Sequence, residues 1–228
     1  MSEEIGTIVR LSLLVGGAAT LGTLPFAFAI AWLLARARFP GKLLLDGLVH
    51  LPLVVPPVVT GWLLLLVFPP TGPLGAPLAR WFDTSVLFRW MGAAIAAGVM
   101  ALPLMVRAIR LSIEAVDQRL EQAARTLGAG PWRTFGTITL PLAFPGVLAG
   151  GMLGFARSLG EFGATITFVS NVPGETQTLP LAIYAALQRP GGEQVVWRLA
   201  VISVVLSLAA LVISELLARR QGRRLHVL

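Results

Sequence analysis

The feature that most constrains this chain is residues 11–35, which hold 25 consecutive positions without one charged side chain. About 20 apolar residues coiled as a helix span the ~30 Å hydrocarbon core of a bilayer. A helix that is apolar on every side has no face to offer water. Four more apolar runs follow, at 43–68, 91–106, 142–159 and 199–217, with Asp46, Arg157 and Glu215 the charged residues among them. In hydrocarbon a segment must satisfy its own backbone N–H and C=O groups, so runs of this length are expected to be helical. The expected fold is all-α and integral to a membrane, one domain over residues 1–228, with about five crossings and room for a sixth.

Composition agrees. Only 13% of residues are charged and the mean hydropathy is +0.80. Soluble domains carry about a quarter charged residues, so a soluble enzyme, a disordered chain and a collagen-like fibre are all excluded. There is no cysteine, hence no disulfide and no thiol or Cys-based metal chemistry. The first run is preceded by Glu3, Glu4 and Arg10. It is too long and its start too acidic for a cleaved signal peptide.

Orientation follows from the basic residues. The loop 36–42 holds Arg36, Arg38 and Lys42. The segment 107–133 holds Arg107, Arg110, Arg119, Arg125 and Arg133, and the tail holds Arg219, Arg220, Arg223 and Arg224. These are 12 of the 18 Lys and Arg residues. Short cytoplasmic loops collect such residues. Two runs separate the first group from the second, and two separate the second from the tail. Five crossings therefore put all three groups in the cytoplasm, with the N-terminus outside and the C-terminus inside. The net charge of +7 is explained by this placement, and nucleic-acid binding is not needed. Leu179, Ile183 and Leu187 stand at helical spacing and are read as a short helix at the outer surface. A sixth crossing there would leave the tail outside. Residues 78–90, with Arg80, Trp81, Asp83, Arg89 and Trp90, read as an interfacial loop. Pro25, Pro52, Pro56, Pro57 and Pro103 are expected to kink their helices.

The polar stretch near the middle carries the functional signal. A short helix is expected from Asp117 to Leu127, stopped by Gly128 and Gly130, with Pro131 opening a new turn. Ala123, Ala124 and Leu127 form a small apolar face, with Glu121, Gln122 and Arg125 polar. Such a helix is too short to span and too polar for a core. Read blandly, it is an ordinary interhelical loop. The longer pattern is more specific. Gln122-Ala123-Ala124, Gly128, Ile138, Leu140 and Pro141 resemble the signature loop of binding-protein-dependent ABC importer permeases. That signature is Glu-Ala-Ala, three residues, Gly, nine residues, then Ile-x-Leu-Pro. Gln122 stands where the pattern has Glu, and Glu121 is one residue earlier.

The resemblance implies a type I importer permease. Its coupling loop, here about 107–141, docks on a separate ATPase through Glu121, Gln122, Ala123, Ala124, Arg125, Gly128, Ile138, Leu140 and Pro141. It also implies a homodimer, two cytoplasmic ATPase subunits that hold ATP and Mg, and an external solute-binding protein, in a bacterial or archaeal cytoplasmic membrane. The chain itself is expected to hold no cofactor, no metal and no catalytic residue. A P-loop requires Gly-x4-Gly-Lys-Ser/Thr. The one lysine, Lys42, follows Gly41, but position 36 is Arg and position 43 is Leu.

Residues 51–62, 101–110, 155–165 and 170–176 are similar to the molybdate branch of these permeases, and in part to sulfate and thiosulfate permeases. The implied function is import of molybdate by alternating access, with tungstate or sulfate as alternatives. A proton-coupled secondary transporter is the alternative of another class. It would need a membrane carboxylate relay, for which Glu161 is the one good candidate. Arg157, Ser158, Glu161, Thr165 and Thr167 are the candidates for a translocation path or gate. Ionisable groups inside a membrane helix are functional by default, yet Arg157 and Glu161 at i,i+4 equally read as an ion pair on one helix face. Ser170 and Asn171 offer further donors. The stripe Gly146, Gly150, Gly154, Ser158 permits close helix packing, within the subunit or across a dimer. Asp46 and His50 read as a polar pair, and Trp62, Trp81, Trp90 and Trp197 as interface markers.

Overall fold

A computed structural model describes residues 2–82 and 85–225. Asp83, and the side chains of Trp81, Arg219, Arg220, Arg223 and Arg224, lie outside the described part. The described residues form eleven α-helices and one π-helical stretch, with no strand. They are α1 (Ser2–Arg36), α2 (Lys42–Val54), α3 (Pro57–Val67), α4 (Gly75–Phe82), α5 (Trp90–Glu114), α6 (Gln118–Thr126), α7 (Pro131–Thr134), the π-helical stretch Phe135–Thr139, α8 (Leu140–Leu159), α9 (Gly163–Val169), α10 (Leu179–Leu187) and α11 (Glu193–Leu225).

Four helical segments are long and apolar enough to cross a membrane: Glu3–Arg36, Trp90–Glu114, Pro131–Leu159 and Glu193–Ile213. The pair α2–α3 makes the fifth if counted as one broken span, bent by 116°. The break has a local cause. Pro56 and Pro57 lack N–H groups, and a residue before proline is pushed out of the helical region. Val55 is accordingly extended, with ψ 137°, and Pro57 opens α3 as its first residue. By contrast α1 continues through Pro25 and α5 through Pro103. At nine residues, α10 reaches only about 13 Å and adds no sixth crossing.

The helix directions follow from two apolar clusters strung along α5. At its beginning, Ala93, Ala96, Ala97 and Met100 meet Leu11, Val15 and Ala19 of α1, Leu64 of α3, and Ala164, Phe168 and Val169 of α9. Towards its end, Ala101, Met105, Val106, Ile109 and Ile113 meet Ala27, Ala31 and Leu34 of α1, Val49 of α2 and Ala143 of α8. So α1 and α5 run in the same direction, α2–α3 leads back from the second cluster to the first, and α8 starts beside the end of α5. A third cluster joins Leu179 and Ala182 of α10 to Leu199 of α11, with Ile5, Ile8 and Val9 of α1 against it. Hence the expected short helix α10 is packed between α1 and α11. Its buried positions are Leu179, Leu181, Ala182 and Ala186, whereas Leu187 is exposed.

The glycine stripe packs within the subunit. A Cβ at Gly146 would collide with the Ser112 side chain of α5. At Gly150 it would stand 2.9 Å from Ile109 Cγ1, and at Gly154 2.5 Å from Met105 Sδ. The small residues let α8 lie against α5, and α5 becomes the hub of the bundle. The most apolar window of α5 is 67% buried, against 6% for α11.

Candidate functional site

Helix α6 is fixed at both ends by its own sequence. Asp117 caps the start: its Oδ1 accepts from the Arg119 N–H at 2.9 Å, satisfying one of the free donors of a first turn. At the other end Gly128 adopts φ +84°. The Gly128 N–H donates to Arg125 O and the Ala129 N–H to Ala124 O, each at 3.0 Å. This pair of bonds is the Schellman stop, which requires a left-handed residue at the glycine position. Gly130 then extends into Pro131, the first residue of α7. The π-helical widening follows, where the Leu140 N–H bonds Phe135 O. It sits just before Pro141, which has no N–H to give the carbonyl four residues back and whose ring crowds it. A widened turn relieves that crowding, and π-turns of this kind recur at functional sites.

Most of α6 is exposed, with only Glu121 and Ala124 half-buried. Leu120 is 48% exposed, Leu127 88% and the nearby Trp132 85%. Gln122, Ala123 and Arg125 are exposed as well. Leu120 and Leu127, seven residues apart, make an apolar strip along α6 with Gln122 and Arg125 as polar neighbours. Ile138 and Leu140, further along the loop, are half-buried.

Glu121, one residue before the motif position, has a side chain only 15% exposed that turns into the bundle. There Arg36 Nη2, at the last residue of α1, approaches its Oε1 at 2.7 Å. The Thr139 hydroxyl donates to the same oxygen at 2.8 Å. The sequence offers Arg36 only as a basic loop residue and Thr139 not at all; with Arg36 and Glu121 85 positions apart, no local spacing announces the pair. Gln122, which occupies the motif position, faces outward.

Nearby, the Asp46–His50 pair is part of a larger group. Asp46 Oδ1 lies 3.4 Å from His50 Nδ1 and 3.2 Å from Arg110 Nη1. Arg110 Nε also donates to Glu114 at 2.8 Å, so α2 is pinned to α5 by charge.

The candidates for the path begin at Arg157, about 27 Å along the helix from Thr139 at 1.5 Å per residue, and continue past the end of α8 into α9. Arg157 Nη1 and Glu161 Oε2 form an ion pair at 2.7 Å, with Glu161 only 2% exposed at its side chain. Glu161 Oε1 also accepts the Ala164 N–H at 2.9 Å, so one carboxylate both neutralises Arg157 and holds the start of α9. Ser158 Oγ is buried without a hydrogen-bond partner. Thr165 is buried. Thr167 spends its hydroxyl on Gly163 O, 2.9 Å away. Beyond α9, Ser170 takes φ 62°. The buried Thr176 hydroxyl closes this turn, accepting from Val172 N and donating to Ser170 O, and Asn171 Oδ1 is buried unpaired.

Comparison with known proteins agrees with this geometry. The model of the family described as binding-protein-dependent transport system inner membrane component matches residues 24–223. The molybdenum transport system permease protein ModB of Escherichia coli is 60% identical over 216 residues, covering 95% of this chain and 94% of that protein. The ModB protein of Haemophilus influenzae is 56% identical, covering 95% of each chain. The sulfate transport system permease protein CysT of Escherichia coli is more distant, at 36% identity over 98% of this chain and 80% of its own. Among solved structures, a bacterial ABC transporter that imports alginate matches with TM-score 0.76 at 18% identity, covering 96% of this chain and 80% of that one. The MetNI methionine ABC transporter in inward-facing form matches with TM-score 0.67 at 17% identity, over 97% and 99%. These likenesses establish the type I importer architecture, and the chain belongs to the family of binding-protein-dependent transport system inner membrane components.

Proposed function

We propose that this chain is the membrane-spanning subunit of an ATP-driven molybdate importer. The observation that carries the proposal is the coupling loop. A helix stopped by a left-handed glycine presents Leu120, Ala123 and Leu127 away from the bundle. An exposed apolar patch with a polar rim is the surface a partner protein covers. The partner is a cytoplasmic ATPase subunit, one on each permease of a homodimer. ATP and Mg are held there, and closure of the two ATPases moves the docked loops. An external solute-binding protein delivers the anion. One of the structural relatives is an alginate transporter solved with its periplasmic protein, and the same kind of partner suits this family.

Molybdate is favoured over sulfate by the higher identity to the molybdenum permeases than to the sulfate permease. Within the bundle, Arg157, Ser158, Glu161, Thr165 and Thr167 would line or brace the path. With Arg157 neutralised by Glu161, anion contacts along it are weak. Weak contacts suit a carrier that must release its cargo, and leave selectivity to the binding protein.

The test is elemental analysis of cells lacking the gene, grown at nanomolar molybdate with ordinary sulfate. A selective fall in molybdenum, relieved by excess molybdate, is expected. Tungsten falling with equal sensitivity would make the carrier a shared one. Sulfur falling with molybdenum unchanged would overturn the choice of anion and keep the importer.

A further inference from the structure

We propose that Glu121 is a positioning residue that carries the movement of α6 into the membrane helices, by holding the end of α1 and the foot of α8 on one carboxylate oxygen. The inference rests on the reading of α6 as the ATPase-docking helix and goes beyond it, because it assigns Glu121 to the permease side of the joint.

The argument begins with how α6 is attached. No residue of α6 is fully buried, so packing alone holds it weakly. Its backbone connection to α5 is the short link Ala115 to Asp117, which gives α5 a direct pull. Towards α8 the chain takes a longer route, through the turn at Gly128–Gly130, α7 and the π-helical stretch. It has no covalent connection to α1 except through α2 to α5. A push delivered to α6 therefore reaches α5 through the backbone, and α1 and α8 only by way of their packing on α5 unless a direct link exists.

Glu121 supplies it. Its Oε1 is 2.7 Å from Arg36 Nη2 on α1 and accepts the Thr139 hydroxyl at 2.8 Å. Thr139 is the last residue of the π-helical stretch and is 4% exposed. Bonds to a charged acceptor are short and about twice as strong as neutral ones. At 14% and 15% exposure the two side chains are screened less by salt than a surface pair. Arg36 Nε is buried with no partner, so Glu121 rather than a neighbouring carbonyl fixes the guanidinium. The joint also lies where Pro141 has already widened the helix, a turn that adjusts more easily than a regular one.

The test uses the complete transporter, with its ATPase and binding protein, in proteoliposomes. The readout is molybdate taken up per ATP hydrolysed. Glu121→Ala and Arg36→Met are each expected to lower this ratio by about tenfold, within the usual range of coupling between sites. Thr139→Val, which removes one bond, lowers it by about threefold. The charge exchange Arg36→Glu with Glu121→Arg restores about half of the ratio, as a pairwise interaction does in a double-mutant cycle. An unchanged ratio in Glu121→Ala overturns the proposal. Loss of the ATPase from purified Glu121→Ala complexes overturns it too, in favour of a direct docking contact. If Glu121→Ala does not reach the membrane, Thr139→Val and Glu121→Gln decide, and an unchanged ratio in both is the negative result. Failure of the docking reading itself has a separate signature. Leu127→Glu, on the exposed face, would then leave the ATPase bound.

Discussion

Two glycines of this chain are required for opposite reasons, and substitution separates them. A Cβ at Gly128 meets nothing within 4 Å, but the residue holds φ +84°. An L-residue there costs about 1–2 kcal/mol, and α6 loses its stop. Gly128→Ala is therefore expected to reduce molybdate uptake several-fold at an unchanged amount of permease in the membrane. Gly128→Asn should recover part of it, since asparagine tolerates the left-handed region better. Equal uptake by the alanine variant and the original would contradict the need for this stop. Gly146 has the reverse problem, with a Cβ running into Ser112 on α5. Ser112 cannot swing its own Cβ away, whereas the Met105 side chain facing Gly154 is flexible. Thermal unfolding in detergent should show a larger loss for Gly146→Ala than for Gly154→Ala, of about 1–3 kcal/mol for an overpacked site. Similar losses for both would mean that the two helices separate easily. Gly128 was legible in the sequence because a helix stop is a local event. The direction of Glu121 was not, because its partner Arg36 belongs to another helix.

At the scale of elements, the apolar runs announced the spanning helices, and the proline pair announced a break. Neither showed how far α2 and α3 bend from each other. Consecutive prolines remove two helical donors and so interrupt the helix, but the bend of 116° depends on where α3 comes to rest. It rests on α9, where a Cβ at Gly61 would stand 2.6 Å from Ala164 O, a contact 103 residues distant in the chain. At its other end the arm is tied by Arg110 to Asp46. The two attachments differ in kind. The Asp46–Arg110 pair is part-exposed, and pairs of that sort contribute about 0–1 kcal/mol. The Gly61 contact is against backbone that cannot step aside. Gly61→Val is thus expected to lower the unfolding temperature clearly, and Arg110→Met only slightly. The reverse order would make the ionic tie, not the helix contact, the main anchor of the arm. The charged stretch read as an interfacial loop is in part helix, α4, because tryptophan and arginine report the depth of a segment and not its backbone.

For the whole molecule, the direction of each helix decides which ends share a compartment. The meeting of Arg36 with Glu121 puts the first basic loop and the coupling loop at one end of the bundle. The cluster of Ile5, Ile8, Val9, Leu179 and Leu199 puts the beginnings of α1, α10 and α11 at the other. That arrangement matches the count of basic residues, which counted loops without knowing that any two of them touch. Basic loops face the cytoplasm, so the α6 end should be inside. The absence of cysteine makes this directly measurable, since each introduced thiol is the only one. Arg38→Cys and Gly130→Cys are exposed at the α6 end, and Glu175→Cys and Gln194→Cys at the far end. In intact spheroplasts a membrane-impermeant maleimide should label the second pair and spare the first. After permeabilisation it should label all four. Labelling of Arg38→Cys in intact spheroplasts, with Glu175→Cys protected, would invert the orientation and place the exposed face of α6 where no ATPase could reach it.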